Sequence, residues 1–278
     1  MRGNIHVTAM AGIVFGLAAS LNACLAAAPA KGQPSKDLRQ NKTPAVSRHA
    51  QVRVAAVPKN LNTILAQRAR NDYDREQGFH FDKIQRGNPH IKDIALTFDD
   101  GPHQVYTRKL LDVLNSLHVH ATFFLVGKQV VKYPQLIQLE VMDGDEVGNH
   151  TYDHVNLTKI PSSRVGYELD ACDLAIERAI GAPVTFLRPP GGDFNPTVIK
   201  EVARRYYVTA LWTCDPGDYA KPGSDYLLQR SLDKLENGSI VLLHDGMPET
   251  MAILPALVTE GRRRGYHFVT LSELVHAK

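Results

Sequence analysis

The stretch IALTFDDGPH, residues 94–103, ends an apolar run on two adjacent carboxylates, Asp99 and Asp100, before Gly101 and Pro102. Four more polar groups recur in the same setting. His150 and His154 lie four residues apart in HTYDH, Arg188 opens RPPGG, Asp218 and Tyr219 close DPGDY, and His244 ends SIVLLH. Adjacent strand residues point to opposite sides, and two close like charges push one pKa up, so Asp99 and Asp100 are expected to have different duties. One would bind a divalent metal and the other would take a proton from the water that the metal activates. Two neutral imidazoles and one carboxylate form a three-ligand set that leaves a coordination position open. On a helical turn, the spacing of His150 and His154 would aim both rings the same way. Carboxylates side by side also need a nearby side-chain cation, and Arg188 is the candidate. An Asp bonded to one imidazole nitrogen fixes the tautomer and raises the basicity of the other, so Asp218 with His244 would make a proton donor for a leaving group. His103 receives no role from this pattern.

Each of these residues has a plainer explanation. Asp-Gly and DPGD are turn chemistry, a histidine pair commonly caps or lies on a surface, and an arginine before two prolines can be a surface residue. Their shared placement favours function. From Ile94 onward the chain alternates apolar runs (IALTF, ATFFLVG, DEVGNHT, VTFLR, VTALWTC, SIVLLH, HFVTL) with helical candidates at 107–118, 134–143, 162–180, 197–207, 225–236 and 250–264. Asp99 and Asp100, HTYDH, Arg188, Asp215 with Asp218, and His244 all fall at C-terminal ends of runs, the side on which parallel α/β folds build their sites. Alternating strands and helices imply parallel pairing with right-handed crossovers. The expected fold is α/β, an incomplete (β/α) barrel of about seven parallel strands, with a doubly wound open sheet as the alternative. Ser162 or Ser163 is expected to cap a helix after Pro161, and Gly181, Gly238 and Gly265 are placed like residues that follow helix ends.

The rest of the chain bounds this picture. It has 278 residues, 44% apolar and 22% charged, with a net charge of +3 and no basic cluster of the kind that binds nucleic acid. Residues 1–30 read as an export signal: Arg2 precedes an apolar run too short for a comfortable membrane span. LNAC places Cys24 where a bacterial lipoprotein would be cleaved and acylated, with Asn22 an imperfect fit, whereas APA at 28–30 suits ordinary cleavage. The expected location is therefore the periplasm or cell envelope, with a lipid anchor at Cys24 as the one route to a membrane, or secretion. Residues 31–58 read as a flexible tether, 59–91 as a preamble with a weak helical pattern from Leu61, and 92–278 as the catalytic domain. Cys172 lies on an apolar helical stripe with Val165, Leu169 and Ile176, so Cys172 and Cys214 are expected to be buried thiols, with a disulfide as the alternative.

In order and spacing, TFDDGP, HTYDH, RPPGG, DPGDY and LLH resemble the five motifs of the polysaccharide deacetylases, carbohydrate esterase family 4, also called the NodB-homology domain. The resemblance covers residues 92–272. It implies a distorted, incomplete (β/α) barrel and metal-dependent removal of N-acetyl groups from N-acetylglucosamine-containing polymers, zinc being the usual metal. Position by position, it makes Asp99 the base, Asp100, His150 and His154 the metal ligands, and Arg188 the group that orients Asp99. Asp218 would tune His244, which would protonate the departing amine. Leu242 would line the pocket for the acetyl methyl, and a backbone N–H near Gly191 would join the metal in stabilising the oxyanion. Two residues depart from the pattern: Gly191 stands where many members have an aromatic residue, and Tyr219 where many have tryptophan, so the groove walls differ while the chemistry is kept. Tyr219 can still stack on a sugar face.

Overall fold

A computed structural model of the chain describes residues 82–277. The export signal, the tether, Cys24 and the Leu61–Gly78 helical pattern lie outside the described residues.

The site is organised by one strand. In Asp93–Gly101 (β2), Ile94, Leu96 and Phe98 join the large apolar layer that packs against the helices. Ala95, on the other face, joins a smaller inner cluster with Phe124, Phe186, Val208, Ala210 and Ile240. Side chains alternate along a strand, so Thr97 and Asp99 continue the inner face set by Ala95. The remaining strands are Lys83–Ile84 (β1), Thr122–Leu125 (β3), Glu146–Asn149 (β4), Phe186–Leu187 (β5), Val208–Ala210 (β6), Ile240–His244 (β7) and His267–Val269 (β8). They run in the order β1-β6-β5-β4-β3-β2-β7, with β8 also paired to β2, and every pairing is parallel. Beyond β6 the chain meets β7 at one parallel bridge, Cys214 with Val241. The curled sheet therefore lacks a continuous closing ladder, as expected of an incomplete barrel. Seven of the strands coincide with the seven apolar runs. The two-residue β1, within the stretch read as a preamble, pairs with β6.

The helices are Tyr106–Leu117 (α1), Gly127–Lys132 (α2), Pro134–Asp143 (α3), Ser162–Ile180 (α4), Pro196–Arg204 (α5), Ser224–Asp233 (α6), Pro248–Arg263 (α7) and Leu271–His276 (α8). α2 and α8, six residues each, are too short to show a helical period in the sequence. The cap of α4 differs from expectation. Pro161, in extended conformation, occupies the N-cap position, and the Ser162 hydroxyl turns to Glu201 Oε1 at 3.2 Å. Gly181 and Gly265 follow helix ends with φ of 70° and 85°, whereas α6 stops at Asp233, leaving Gly238 to the turn into β7. Cys172 and Cys214 are free and buried.

Candidate metal and proton-transfer site

The end of β2 does not behave as a regular strand. The β2–β3 register shifts between Phe98 and Gly101, and Asp100 has φ 72°. A bulge of this kind re-aims a side chain, and Asp is among the residues that tolerate the left-handed region. Asp99 and Asp100 consequently do not diverge, correcting the expectation of opposite sides. Both reach His150 Nε2, Asp100 through Oδ1 at 3.4 Å and Asp99 through Oδ2 at 3.7 Å. The turn that follows is tied to β7: Asp245 N–H donates to the Asp99 carbonyl at 2.8 Å, and Asp245 Oδ2 accepts the His103 N–H at 3.1 Å and the Thr107 hydroxyl. His103 also finds a place here. Its Nδ1 accepts the backbone N–H groups of Val105 and Tyr106, both at 3.2 Å, so the ring closes the first turn of α1.

HTYDH is a loop and not a helical turn. Thr151 and His154 adopt φ of 66° and 55°, and backbone bonds from Gly127 and Lys128 hold Thr151 and Tyr152. The two imidazoles still converge, with centroids 5.0 Å apart. His150 Nδ1 donates to the Arg188 carbonyl at 2.7 Å, which leaves Nε2 as a lone pair facing the site. His154 Nε2 lies 3.0 Å from Asp100 Oδ1. One ligand atom from each of Asp100, His150 and His154 lies within 4.8 Å of the others, and Asp100 Oδ1 is buried without a geometrically sound hydrogen bond. Burial works against ionising Asp100, but the nearby imidazoles of His150 and His154 outweigh it and hold the carboxyl well below the usual range. In return, the Asp100 carboxylate at this distance raises the His154 pKa against the effect of burial. The cluster thus draws positive charge to a point where three donors of suitable type meet, and its residues fit a divalent cation.

Beneath the cluster, Arg188 is fully buried. Its Nη1 donates to Asp99 Oδ1 at 2.7 Å and to Thr97 Oγ1 at 2.8 Å, its Nε to the Ala210 carbonyl at 3.1 Å and its Nη2 to the Leu211 carbonyl at 3.2 Å. The guanidinium lies 4.1 Å from the centre of the Phe124 ring. Burial lowers the Arg188 pKa, and the charge and hydrogen bond of Asp99 oppose that shift. On β7, His244 stands opposite Asp99 in the ladder. Its Nδ1 donates to Asp218 Oδ1 at 2.7 Å, and Asp218 Oδ2 accepts the His244 N–H and the Thr250 hydroxyl, each at 2.7 Å. Burial would lower the His244 pKa, but the Asp218 hydrogen bond and charge, with Asp99 and Asp100 behind them, raise it.

Residues 86–210 match the polysaccharide deacetylase family model. The peptidoglycan-N-acetylglucosamine deacetylase of Bacillus cereus is 37% identical over 192 residues, 67% of this chain and 90% of that protein. The chain belongs to the polysaccharide deacetylase family. Peptidoglycan-N-acetylglucosamine deacetylase PgdA of Listeria monocytogenes is 35% identical over 187 residues, covering 67% of this chain but only 40% of that longer protein. Among solved structures, a family 4 pseudoenzyme from Bacillus anthracis superposes with a TM-score of 0.67 at 32% identity, over 71% of this chain and 70% of that one. The family is metal-dependent, and among the described residues Asp100, His150 and His154 form a group of suitable donors for a cation.

Leu242 lies two residues before His244 on the same face of β7, and it is buried. Tyr219 is 56% exposed, edge-on to the His244 ring at 5.6 Å. Gly191, at φ 71° in the Pro190–Gly192 turn, has only Asp193 Oδ2 near the place of a Cβ. Several residues that contact these groups received no role from the sequence. Thr97 could have been found from its alternation with Asp99, and Asp245 from its place beside His244. Trp212, 5.6 Å from the Arg188 guanidinium, stands in the VTALWTC run and Thr250 opens a helical candidate, but nothing in either segment marks the residue itself. Asp215, expected at the strand end, closes the DPGD turn by accepting the Gly217 N–H at 2.9 Å.

Proposed function

We propose that this chain is an exported, zinc-dependent N-deacetylase acting on N-acetylglucosamine-type residues of a cell-envelope polysaccharide, with peptidoglycan as first candidate and chitin-like oligomers next. The observation that carries the proposal is the β2–β7 register, which sets Asp99 opposite His244 beside the Asp100–His150–His154 group. A pseudoenzyme on the same fold means that the scaffold alone does not decide activity. Here every residue to which the resemblance gives the part of base, acid, their partners or metal ligand is present.

Asp100, His150 Nε2 and His154 Nε2 would hold the cation, and zinc suits two imidazoles with one carboxylate. When bound, it supplies Lewis-acid chemistry: it polarises the acetyl carbonyl and lowers the pKa of a water. Asp99 takes the proton of the attacking water, and Arg188 orients that carboxylate through the Nη1 hydrogen bond. His244, with Nδ1–H committed to Asp218, presents Nε2–H to the departing amine nitrogen as the C–N bond breaks. A backbone N–H near Gly191 donates to the developing oxyanion. Leu242 packs on the acetyl methyl, and Tyr219 meets a sugar face.

The peptidoglycan substrates named for the relatives support action outside the cytoplasm, as does the N-terminal pattern. We assign 1–30 as the export signal, with acylation at Cys24 one of its two endings, and 31–58 as the tether. The testing experiment is acetate release from peptidoglycan, chitooligosaccharides and acetylated xylan, with and without zinc. Release from an N-acetylglucosamine polymer, lost on chelation and restored by zinc, is expected. Binding without release by zinc-loaded protein, or turnover indifferent to rigorous chelation, overturns the proposal.

A further inference from the structure

The loop that brings His150 and His154 together is held from behind by a buried acid with no part in the chemistry. Thr151 and His154 are both left-handed non-glycine residues. Such residues persist only where their surroundings fix them, and helix α4 supplies much of that surrounding. At one end of the loop, Asn149 Nδ2 donates to the Leu169 carbonyl at 3.0 Å and to Asp173 Oδ1 at 2.9 Å, while Asn149 Oδ1 accepts the Thr151 N–H at 2.7 Å. At the other end, the Asp153 N–H, immediately before His154, donates to Glu168 Oε2 at 2.7 Å.

The Glu168 side chain is 0% exposed. Its second oxygen, Oε1, accepts Arg164 Nε at 2.8 Å, and the Arg164 guanidinium also reaches the Asp153 carboxylate, which Lys128 Nζ meets at 2.6 Å. Glu168 is therefore the buried centre of a network, and its own contact to the ligand loop is the Asp153 N–H, one residue before His154. A buried acid in an ion pair is weak support for stability by itself, since a well-packed apolar residue often does as well. A specific acceptor for one backbone N–H between two left-handed residues is something an apolar residue cannot supply.

We propose that Glu168 is a positioning residue for the metal site: by accepting the Asp153 N–H, it sets the backbone that aims His154 Nε2 at Asp100. This rests on Asp100, His150 and His154 being the metal ligands. Removing the acceptor lets the loop relax toward ordinary backbone angles and swings His154 out of reach, while the Asp99–Arg188 and His244–Asp218 pairs stay in place.

Zinc affinity of the full chain, measured by competition with a chromophoric chelator, tests it, with the visible absorption of the cobalt-substituted protein reporting ligand geometry. Glu168→Ala is expected to weaken zinc binding by about tenfold or more, the range for losing a group that orients a metal ligand, and to change the cobalt spectrum. Glu168→Gln keeps an acceptor oxygen and is expected to retain most of the affinity. Leu274→Ala, in the inner core near Gly87 at the opposite end of the strands, is the control for general loosening and is expected to leave zinc affinity unchanged. Should Glu168→Ala fail to fold, Glu168→Asp keeps the charge but draws the carboxylate back by one methylene, and it is expected to show the same loss. Wild-type zinc affinity in folded Glu168→Ala or Glu168→Asp overturns the proposal. Failure of the wild-type chain to bind zinc at all would instead overturn the metal-site assignment on which it stands.

Discussion

Arg188 serves His150 through its backbone and Asp99 through its side chain: its carbonyl accepts the His150 Nδ1–H at 2.7 Å, while Nη1 donates to Asp99 Oδ1 at 2.7 Å. The tautomer of a metal-ligand imidazole and the orientation of the base are thus set by one residue at the end of β5. Substitution separates the two. Arg188→Met leaves the carbonyl in place but strands a buried Asp99, so zinc affinity should largely survive while kcat falls by about 100-fold or more. Removing one partner of such a buried pair should also cost about 3–5 kcal/mol of stability. Arg188→Lys keeps a charge but cannot serve four acceptors with a planar fork, so it should rescue stability better than turnover. Zinc titration, steady-state kinetics and thermal unfolding check the three parts.

The pH dependence follows from His244. It must be protonated to donate to the leaving amine, and Asp218 raises its pKa against the lowering effect of burial. Activity should therefore fall as pH rises through a value above the ordinary 6.5 of histidine. Asp218→Asn removes the main upward influence and leaves burial, so the alkaline limb of the kcat profile should move to lower pH as the maximum rate drops. The linkage to stability has the same sign. A raised folded-state pKa contributes stability that is fully present below the unfolded value and is lost as pH rises through the folded one. An alkaline limb that does not move in Asp218→Asn would remove His244 from the acid role.

The strands that deliver Asp99, Arg188 and His244 were legible because they are buried and rich in hydrophobic residues, whereas the one before His150, Glu146–Asn149, is buried with Val147 as its one large apolar residue and was marked mainly by the HTYDH that follows it. The long helices were legible from their 3.6-residue period. What escaped was irregular. The meeting of Asp99 and Asp100 on one histidine depends on a bulge and one left-handed residue, and no side-chain period encodes either. HTYDH suggested a helical turn from its spacing, yet the rings converge through two left-handed residues fixed by partners on α2 and α4. Those partners, Gly127, Lys128 and Glu168, are distant or unmarked in the motif, so the ligand identities were readable while their support was not.

Cys172 and Cys214 should behave as inert core residues. Burial pushes the Cys214 thiol up to about 12 and raises Cys172 further, leaving almost no thiolate at neutral pH. A chromogenic disulfide reagent should label neither in the native protein and both after denaturation. Mass analysis under non-reducing conditions should find no bond between them.

Tyr219 should matter to sugar binding more than to chemistry. It is exposed and touches His244 only edge-on, and it holds none of the hydrogen bonds that align His244. Tyr219→Ala should raise KM for an oligosaccharide substrate, with a stacking loss of about 0.5–1.5 kcal/mol, and should leave the alkaline limb of kcat where it was. Tyr219→Trp offers a wider face and should recover the KM. A displaced pH limb in Tyr219→Ala would mean that the ring tunes the acid as well.

Metal removal should read out as stability as well as activity, because a cation that binds only the folded chain stabilises it by mass action. At free zinc 100-fold above Kd this amounts to about 2.7 kcal/mol, or roughly 5–10 °C in Tm for a domain of this size. The two histidines should then differ. His154 is 46% exposed and its ring packs little, whereas His150 is buried and bonded to the Arg188 carbonyl. His154→Ala should abolish the zinc-dependent rise while leaving the metal-free Tm nearly unchanged. His150→Ala should abolish the rise and lower the metal-free Tm too, since it leaves the Arg188 carbonyl without its donor. Calorimetry of the wild type and both variants, each with zinc and with chelator, measures both effects. A zinc-dependent shift that persists in His154→Ala would place the cation elsewhere.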